Sequence, residues 1–292
     1  MATKTPDQEK VQAHFDSSPV TVYRESELSE LQAEYGRDWN VPPRMTNETF
    51  REWLLQNTKI TSVKLKSRSY PALTRYVWGR DTRPVSIALS IKRFSYCCHG
   101  TALWIHGLGG KSDEIFVNTE QSEKSNDTAG LTQEAIDRAF RNMQRTSNLV
   151  YLVEKTKITM VSGKHTNRLE VRPFSLPSGH VVDVTSMERT LIDAAVRPSY
   201  SGGVSHVLEA FRLARGRISV KLLSRVLQKL DHTYPYHQAI GFYLEHGGYP
   251  QAECGIFAEI DKEFNFYLCH GLKKPAFDPR WRVFFPSNML RG

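Results

Sequence analysis

Residues 44–83 have the sequence RMTNETFREWLLQNTKITSVKLKSRSYPALTRYVWGRDTR, in which a helical pattern is followed by two short strand patterns. The segment holds nine lysines and arginines against three acidic residues, a net charge of +6. Residues 1–43 hold four basic and eight acidic residues, a net charge of −4, so the positive charge is concentrated. A confined basic surface is typical of proteins that bind a polyanion. We therefore predict that residues 44–83 contact DNA.

A helix is predicted to begin after Thr46, whose hydroxyl can cap the first N–H groups of NETFREWLLQN. Phe50, Trp53 and Leu54 recur at helical spacing and predict its buried face. SELSELQAEYGRDW (26–39) predicts an earlier, supporting helix with acidic residues between its apolar positions.

A β-hairpin is predicted after this helix, and we call residues 60–79 the wing. ITSVKLKS (60–67) alternates with a period of two, so lysines and apolar residues face opposite ways. RYVWG (75–79) predicts the return strand. The order helix, turn, helix, hairpin is that of a winged helix-turn-helix, which places a helix in the major groove. The predicted DNA-binding residues are Arg44, Thr46, Asn47 and Arg51 for base edges, and Lys64, Lys66, Arg68 and Arg75 for phosphates or the minor groove. A solvated basic face without a ligand is the alternative for any single charge run.

The length of 292 residues and a hydrophobic content of 40% favour two domains. We predict an N-terminal tail (1–25), a winged helix-turn-helix domain (26–83) and a larger domain of mixed strands and a helical bundle (84–292). The fold class is therefore α/β mixed (α+β).

The larger domain is predicted from local patterns. VSIALSI (85–91) is predicted to be a buried strand, and CGIFAEI (254–260), FNFYLC and WRVFFP are predicted as closing strands. β-rich segments between residues 149 and 185 precede four predicted helices, the first within TSMERTLIDAAV (185–196).

Composition indicates the cellular compartment in which the protein is expected. No run reaches the roughly 18 apolar residues needed to cross a bilayer, and the first ten residues lack the apolar core of a secretion signal. Four cysteines are too few for a disulfide scaffold. We expect a soluble, cytoplasmic protein that needs no cofactor and contacts no membrane.

Four segments resemble the AbiEi antitoxins of type IV toxin–antitoxin, or abortive-infection, systems of phage defence. They are RYVWG (75–79), HGTALWIHGL (99–108), VTSMERTLIDAAVRPSYSGGV (184–204) and YPYHQAIGFYLEHGGY (234–249). The resemblance covers most of residues 26–290. It implies a DNA-binding antitoxin and repressor, not an enzyme, with two copies on an inverted-repeat operator. It also implies antagonism of a nucleotidyltransferase toxin encoded next door.

A charged cluster near SYSGG admits two interpretations. As a surface it would make Arg189, Asp193, Arg197 and Tyr200 candidates for toxin antagonism. The favoured interpretation makes Glu188, Arg189 and Asp193 a structural polar network.

Two other functions are alternatives, a protein-interaction scaffold without DNA contact and an enzyme that uses a metal. A metal-dependent DNA-processing enzyme, targeted by the winged helix, would use Asp183, Glu188 and Glu170 or Lys155 around a divalent ion. The spacing of cysteines and histidines does not match a zinc finger, so we expect buried thiols and no metal.

Overall fold

A computed structural model describes residues 5–79, 84–122, 130–177 and 179–290. It contains helices together with parallel and antiparallel strands in three sheets. The predicted α+β class is confirmed.

The N-terminal unit follows the predicted order of helices and a hairpin, preceded by one further helix and a short strand. Its elements are α1 (Gln8–Ser17), β1 (Val22–Tyr23), α2 (Glu25–Tyr35), α3 (Asn47–Asn57), β2 (Ile60–Leu65) and β3 (Leu73–Trp78). The strands form an antiparallel sheet in the order β1-β3-β2, with Lys64 opposite Thr74.

Both faces of this small sheet are covered. Ile60, Tyr76 and Trp78 pack against the helices of the N-terminal unit. Leu65 and Val77 point the other way and pack against the second part of the chain. The sheet therefore lies between the helices of its own unit and the larger unit.

The prediction of a separate tail over residues 1–25 is wrong for the described part, residues 5–25. Asp7 caps α1 by accepting a hydrogen bond from the Lys10 backbone N–H at 3.2 Å. Val11 and Phe15 are buried in the core of the N-terminal unit. Because these two residues lie four apart on a helix, they share one face and pack inward together.

The first part of the larger unit forms a six-stranded mixed sheet, with short helices between some of its strands. Its first elements are α4 (Pro84–Leu89), β4 (Tyr96–Cys97), α5 (His99–Ile105), β5 (Glu114–Glu120), α6 (Gln133–Arg141), β6 (Val150–Val153), β7 (Thr156–Gly163), β8 (Val171–Ser175) and β9 (Val181–Thr185). The strand order is β6-β7-β5-β4-β9-β8, in which β5 runs parallel to β7 and β4 parallel to β9.

A helical bundle and a small second sheet complete the larger unit. They are α7 (Met187–Val196), the 3-10 turn Pro198–Ser201, α8 (Val204–Ala214), α9 (Val220–Leu230), α10 (Tyr236–His246), α11 (Gln251–Ala258), β10 (Phe266–Tyr267), β11 (Pro275–Asp278) and β12 (Val283–Pro286).

Helix α10 lies at the centre of this bundle and packs closely on a tryptophan. Trp281 is fully buried, and a Cβ built on Gly241 would lie 2.0 Å from the nearest atom of its ring. Only a residue without a side chain allows this approach.

Two predicted strands are helices instead. Pro84–Leu89 is a helix where VSIALSI predicted a buried strand, and Gln251–Ala258 is a helix where CGIFAEI predicted another. Short apolar runs do not distinguish a buried strand from a buried helix. Each helix lies beside a proline, Pro84 as its first residue and Pro250 as its N-cap. Among the helices that the structure describes, none has the length and apolar character to cross a membrane.

Candidate nucleic-acid interface

The N-terminal end of α3 is open to solvent. The Thr46 hydroxyl accepts a hydrogen bond from the Thr49 backbone N–H at 3.2 Å, as predicted for a cap. Phe50 and Leu54 are buried and fix which side of α3 faces the core. Arg44, Thr46 and Asn47 are exposed as a result, so these predicted base-contacting residues are free to reach a ligand.

The rest of α3 presents less positive charge than predicted. Arg51 is held by Glu25 of α2, with 2.5 Å between guanidinium nitrogen and carboxylate oxygen, and its side chain is only 16% exposed. Glu48 and Glu52 are exposed on the same helix. Arg51 therefore joins α2 to α3 and is not free to contact DNA. Only the first turn of α3 suits a nucleic acid.

Three cations lie exposed on the wing. Lys64, Lys66 and Arg68 are solvent-accessible, and no carboxylate lies within 4.0 Å of them in the described parts of the chain. Tyr70, which sequence reasoning missed, is 43% exposed at the wing tip two residues beyond Arg68. Its position between Ser69 and Pro71 in a hairpin tip was the available signal. The wing thus combines unpaired positive charge with an aromatic ring.

The end of β2 nearest the wing tip is fixed to the larger unit. Lys66 N–H donates to the Leu152 carbonyl at 3.0 Å, and Leu152 N–H donates to the Lys66 carbonyl at 2.7 Å. This antiparallel bridge connects β2 to β6, so the wing has a fixed orientation relative to the second sheet.

Arg75 is not a surface residue, and its prediction as a phosphate contact is wrong. It is 5% exposed, because it lies on the sheet face that α4 covers. Its Nε donates to the Ser90 carbonyl and hydroxyl at 3.2 and 3.0 Å, and Nη2 donates to the Ile91 carbonyl at 3.2 Å. Burial lowers the pKa of its guanidinium. Arg75 therefore joins the two units.

Lys59 does not add free positive charge to the patch. Lys59 pairs with Asp16 at 3.1 Å, and the same carboxylate accepts a hydrogen bond from the Trp78 indole N–H at 2.9 Å. These contacts, the indole first and then Lys59, lower the pKa of Asp16. Arg80 and Arg83, which were counted in the charge of the segment, lie outside the described residues.

The predicted antitoxin surface is largely interior. Arg189 and Asp193 are 4% and 7% exposed and form an ion pair at 2.8 Å one turn apart on α7. Burial alone would lower the pKa of Arg189, but the Asp193 carboxylate raises it above the ordinary value. Arg189 also donates to the Leu169 carbonyl at 3.2 Å. The favoured interpretation as a structural polar network is correct for this pair, and the surface interpretation is wrong.

Tyr200 and Arg197 differ in accessibility. Tyr200 is 4% exposed, and its hydroxyl accepts a hydrogen bond from the Ser147 backbone N–H at 2.7 Å, so it is not a surface residue. Arg197 is half-buried at the end of α7, with its guanidinium 5.7 Å from the centre of the Tyr200 ring. Of the four candidates, Arg197 alone can reach a ligand.

The carboxylates considered for a metal site have separate protein partners. Asp183 pairs with Arg168 at 2.5 Å, Glu170 pairs with Arg172 at 3.0 Å, and Glu188 accepts a hydrogen bond from the backbone N–H of Ser219 at 3.1 Å. Within the described ranges, no group of three or more histidines, cysteines or carboxylates is arranged to hold a metal ion. All four cysteines are free thiols, and three of them are buried.

No protein-family model matches the chain, and no curated protein matches it in sequence. In structure it is similar to a solved protein described as "Crystal structure of RV2827C protein from Mycobacterium tuberculosis", with a TM-score of 0.58 and 12% sequence identity. The similarity covers 99% of this chain and 95% of the other. The two proteins therefore share a fold over nearly their whole lengths.

Proposed function

We propose that this protein is a DNA-binding antitoxin and transcriptional autorepressor of a type IV toxin–antitoxin operon. The observation that carries the proposal is the wing, on which Lys64, Lys66 and Arg68 are exposed and have no carboxylate partner among the described residues. Exposed cations on a hairpin suit a phosphate backbone, and the open N-terminal end of a helix suits a groove. The antitoxin part rests on the resemblance of the four sequence segments to the AbiEi family.

In the proposed mechanism, the two parts of the interface have separate tasks. Arg44, Thr46 and Asn47 at the start of α3 contact base edges in the major groove. The three wing cations contact phosphates and set the register of the protein on the duplex. Two copies on an inverted repeat block the promoter of the operon.

DNA binding is tested by a gel-shift titration with the duplex upstream of the gene. The variant is Lys64→Ala/Lys66→Ala/Arg68→Ala, measured over a series of salt concentrations. If all three cations neutralise phosphates, the slope of log affinity against log salt should become shallower by about 2.7, at about 0.9 per contact.

The matched control removes the same charge elsewhere. Lys221, Arg225 and Lys229 are exposed along α9 and have no ion pair in the described structure. Their triple alanine variant should keep the wild-type slope. An equal loss in both variants would mean that overall charge, and not the wing, drives binding.

Toxin antagonism and catalysis need separate tests. Co-expression with the neighbouring nucleotidyltransferase should restore growth, and the wing variant should restore it as well, because the larger unit is proposed to oppose the toxin. Incubation of the full chain with duplex DNA and Mg²⁺ addresses the enzyme alternative. Cleavage that disappears in Asp183→Ala would replace the proposal with a metal-dependent enzyme.

A further inference from the structure

A cavity of about 590 Å³ opens in the larger unit between the end of α6 and the loop that joins α9 to α10. Its volume is within the roughly 300–1,000 Å³ typical of sites for small molecules. The residues that give it chemical character are Arg138, Arg145, Arg197, His232, Tyr234 and His270. No aspartate or glutamate is among its described lining residues. The cavity is therefore cationic and aromatic.

Its three arginines are available to a ligand. Arg138 on α6 and Arg145 in the following loop are exposed, and Arg197 enters from the end of α7. None of the three has a carboxylate within 4.0 Å in the described ranges. Arginine side chains that are left without a carboxylate in a concave site suit phosphate oxygens, which they bind with parallel N–H groups.

Ring side chains form one wall of the cavity. Tyr234 and Tyr236 are perpendicular, with ring centres 6.4 Å apart, and His232 lies edge-on to Tyr236 at 5.3 Å. His270 stacks on Phe140 at 4.3 Å. A flat heterocycle can stack on such surfaces without a specific hydrogen-bond pattern.

Two histidines of this wall have lowered pKa values. Burial lowers the pKa of His232 to about 4, so its ring is neutral at neutral pH. Its Nε2 atom is buried and has no hydrogen-bond partner in the described structure. Burial also lowers the pKa of His270, and the charge of Arg197 lowers it further. A buried polar atom without a partner is unfavourable, and a bound ligand with a polar edge would supply the partner.

We propose that this cavity binds a nucleoside phosphate. The arginines contact the phosphates, while the tyrosine and histidine rings contact the base. This site goes beyond the proposed DNA binding, because every residue that lines it belongs to the larger unit and none belongs to the wing.

The proposal is tested by isothermal titration of the full chain with ATP, CTP, GTP and UTP at physiological ionic strength. We expect at least one of them to bind with a dissociation constant below about 1 mM. Arg138→Ala and Arg145→Ala should each weaken binding at least tenfold, equivalent to about 1.4 kcal/mol. Both side chains are exposed, so a thermal unfolding scan should show that each variant remains folded.

Two controls separate this site from general charge and from the DNA interface. Arg225→Ala removes an exposed arginine outside the cavity and should leave nucleotide affinity unchanged. The triple wing variant should also bind the nucleotide normally, even where it has lost DNA binding. A loss in either control as large as that in Arg138→Ala would overturn the proposal.

Two further results would contradict it. If none of the four nucleotides binds more tightly than about 1 mM, the cavity is not such a site. If inorganic tripolyphosphate binds as tightly as the best nucleotide, the rings do not contact a base and the nucleoside assignment is wrong.

Discussion

Replacing Arg75 with methionine tests whether this side chain joins the two units or binds DNA. Methionine keeps an apolar stem of similar reach and removes every N–H donor. The substitution leaves the carbonyls of Ser90 and Ile91 without the guanidinium that contacts them at 3.2 Å. It also leaves the Thr74 carbonyl without its donor, Nη1, which lies 2.7 Å away.

The magnitude follows from two opposing terms. A buried acceptor left unpaired costs about 1–3 kcal/mol, so the buried Ile91 carbonyl and the half-buried carbonyls of Ser90 and Thr74 together amount to about 2–6 kcal/mol. Removing a buried cation avoids a desolvation cost of several kcal/mol, which offsets part of that loss. We expect the free energy of unfolding to fall by about 2–4 kcal/mol.

The assay is urea unfolding of the full chain, followed by tryptophan fluorescence, together with the DNA titration over salt. Arg68→Met is the matched control, because Arg68 is exposed on the same hairpin and should change stability by less than about 0.5 kcal/mol. Arg75→Met should keep the wild-type salt slope, whereas Arg68→Met should make it shallower by up to about 0.9.

The reverse pattern would refute the reasoning. If Arg75→Met changes stability by less than about 0.5 kcal/mol and lowers the salt slope, then Arg75 reaches phosphate and does not join the units.

Three other substitutions give measurable outcomes. Gly241→Ala should reduce the free energy of unfolding by about 3 kcal/mol or more, because its Cβ would overlap a buried ring. Gly255→Ala is the control, since a Cβ there would meet no atom within 4 Å, and it should be neutral or stabilising by up to about 1 kcal/mol. Burial lowers the pKa of His99 to about 4 from 6.5, so the unfolded chain takes up a proton first and stability falls as the pH drops from 6.5 to 4. Between pH 7 and pH 5, the free energy of unfolding measured by urea titration should fall by about 2 kcal/mol less in His99→Asn than in wild type. Arg189→Met should destabilise by about 3–5 kcal/mol, since it leaves a buried carboxylate unpaired.

Each of these outcomes has a specific contradiction. Equal stabilities of Gly241→Ala and Gly255→Ala would show that α10 can move away from the tryptophan. If His99→Asn has the same dependence of stability on acid pH as wild type, folding does not lower the pKa of His99. A folded Arg189→Met that fails only to oppose the toxin would restore this residue to the antitoxin surface.

Local sequence patterns are sufficient to predict the secondary structure of α3 and of the first strand of the wing. The cap at Thr46 and the spacing of Phe50 and Leu54 specify a helix with one buried face, and both are observed. Strict alternation in ITSVKLKS specifies a strand, which is also observed. These signals lie within a few residues of each other and need no knowledge of the rest of the chain.

The misplaced side chains depend on contacts that are distant in sequence. Arg75 was assigned to the surface because alternation predicts one exposed face, yet α4 covers that face. Helix α1 was missed because only Val11 and Phe15 signal its apolar side. The cavity is not predicted from the sequence because Arg138 and Arg197 belong to segments far apart in sequence. In each case, tertiary packing decides which residues meet.

The sheet of the N-terminal unit, covered on both sides, limits how the protein can be divided. A fragment that ends at residue 79 would expose the apolar side chains of Leu65 and Val77 to water, together with partly buried Val63 and Leu73. Such a fragment would also leave the β2 edge open for pairing with another copy, a recognised route to aggregation. Truncation after residue 79 is thus a poor way to isolate the N-terminal unit.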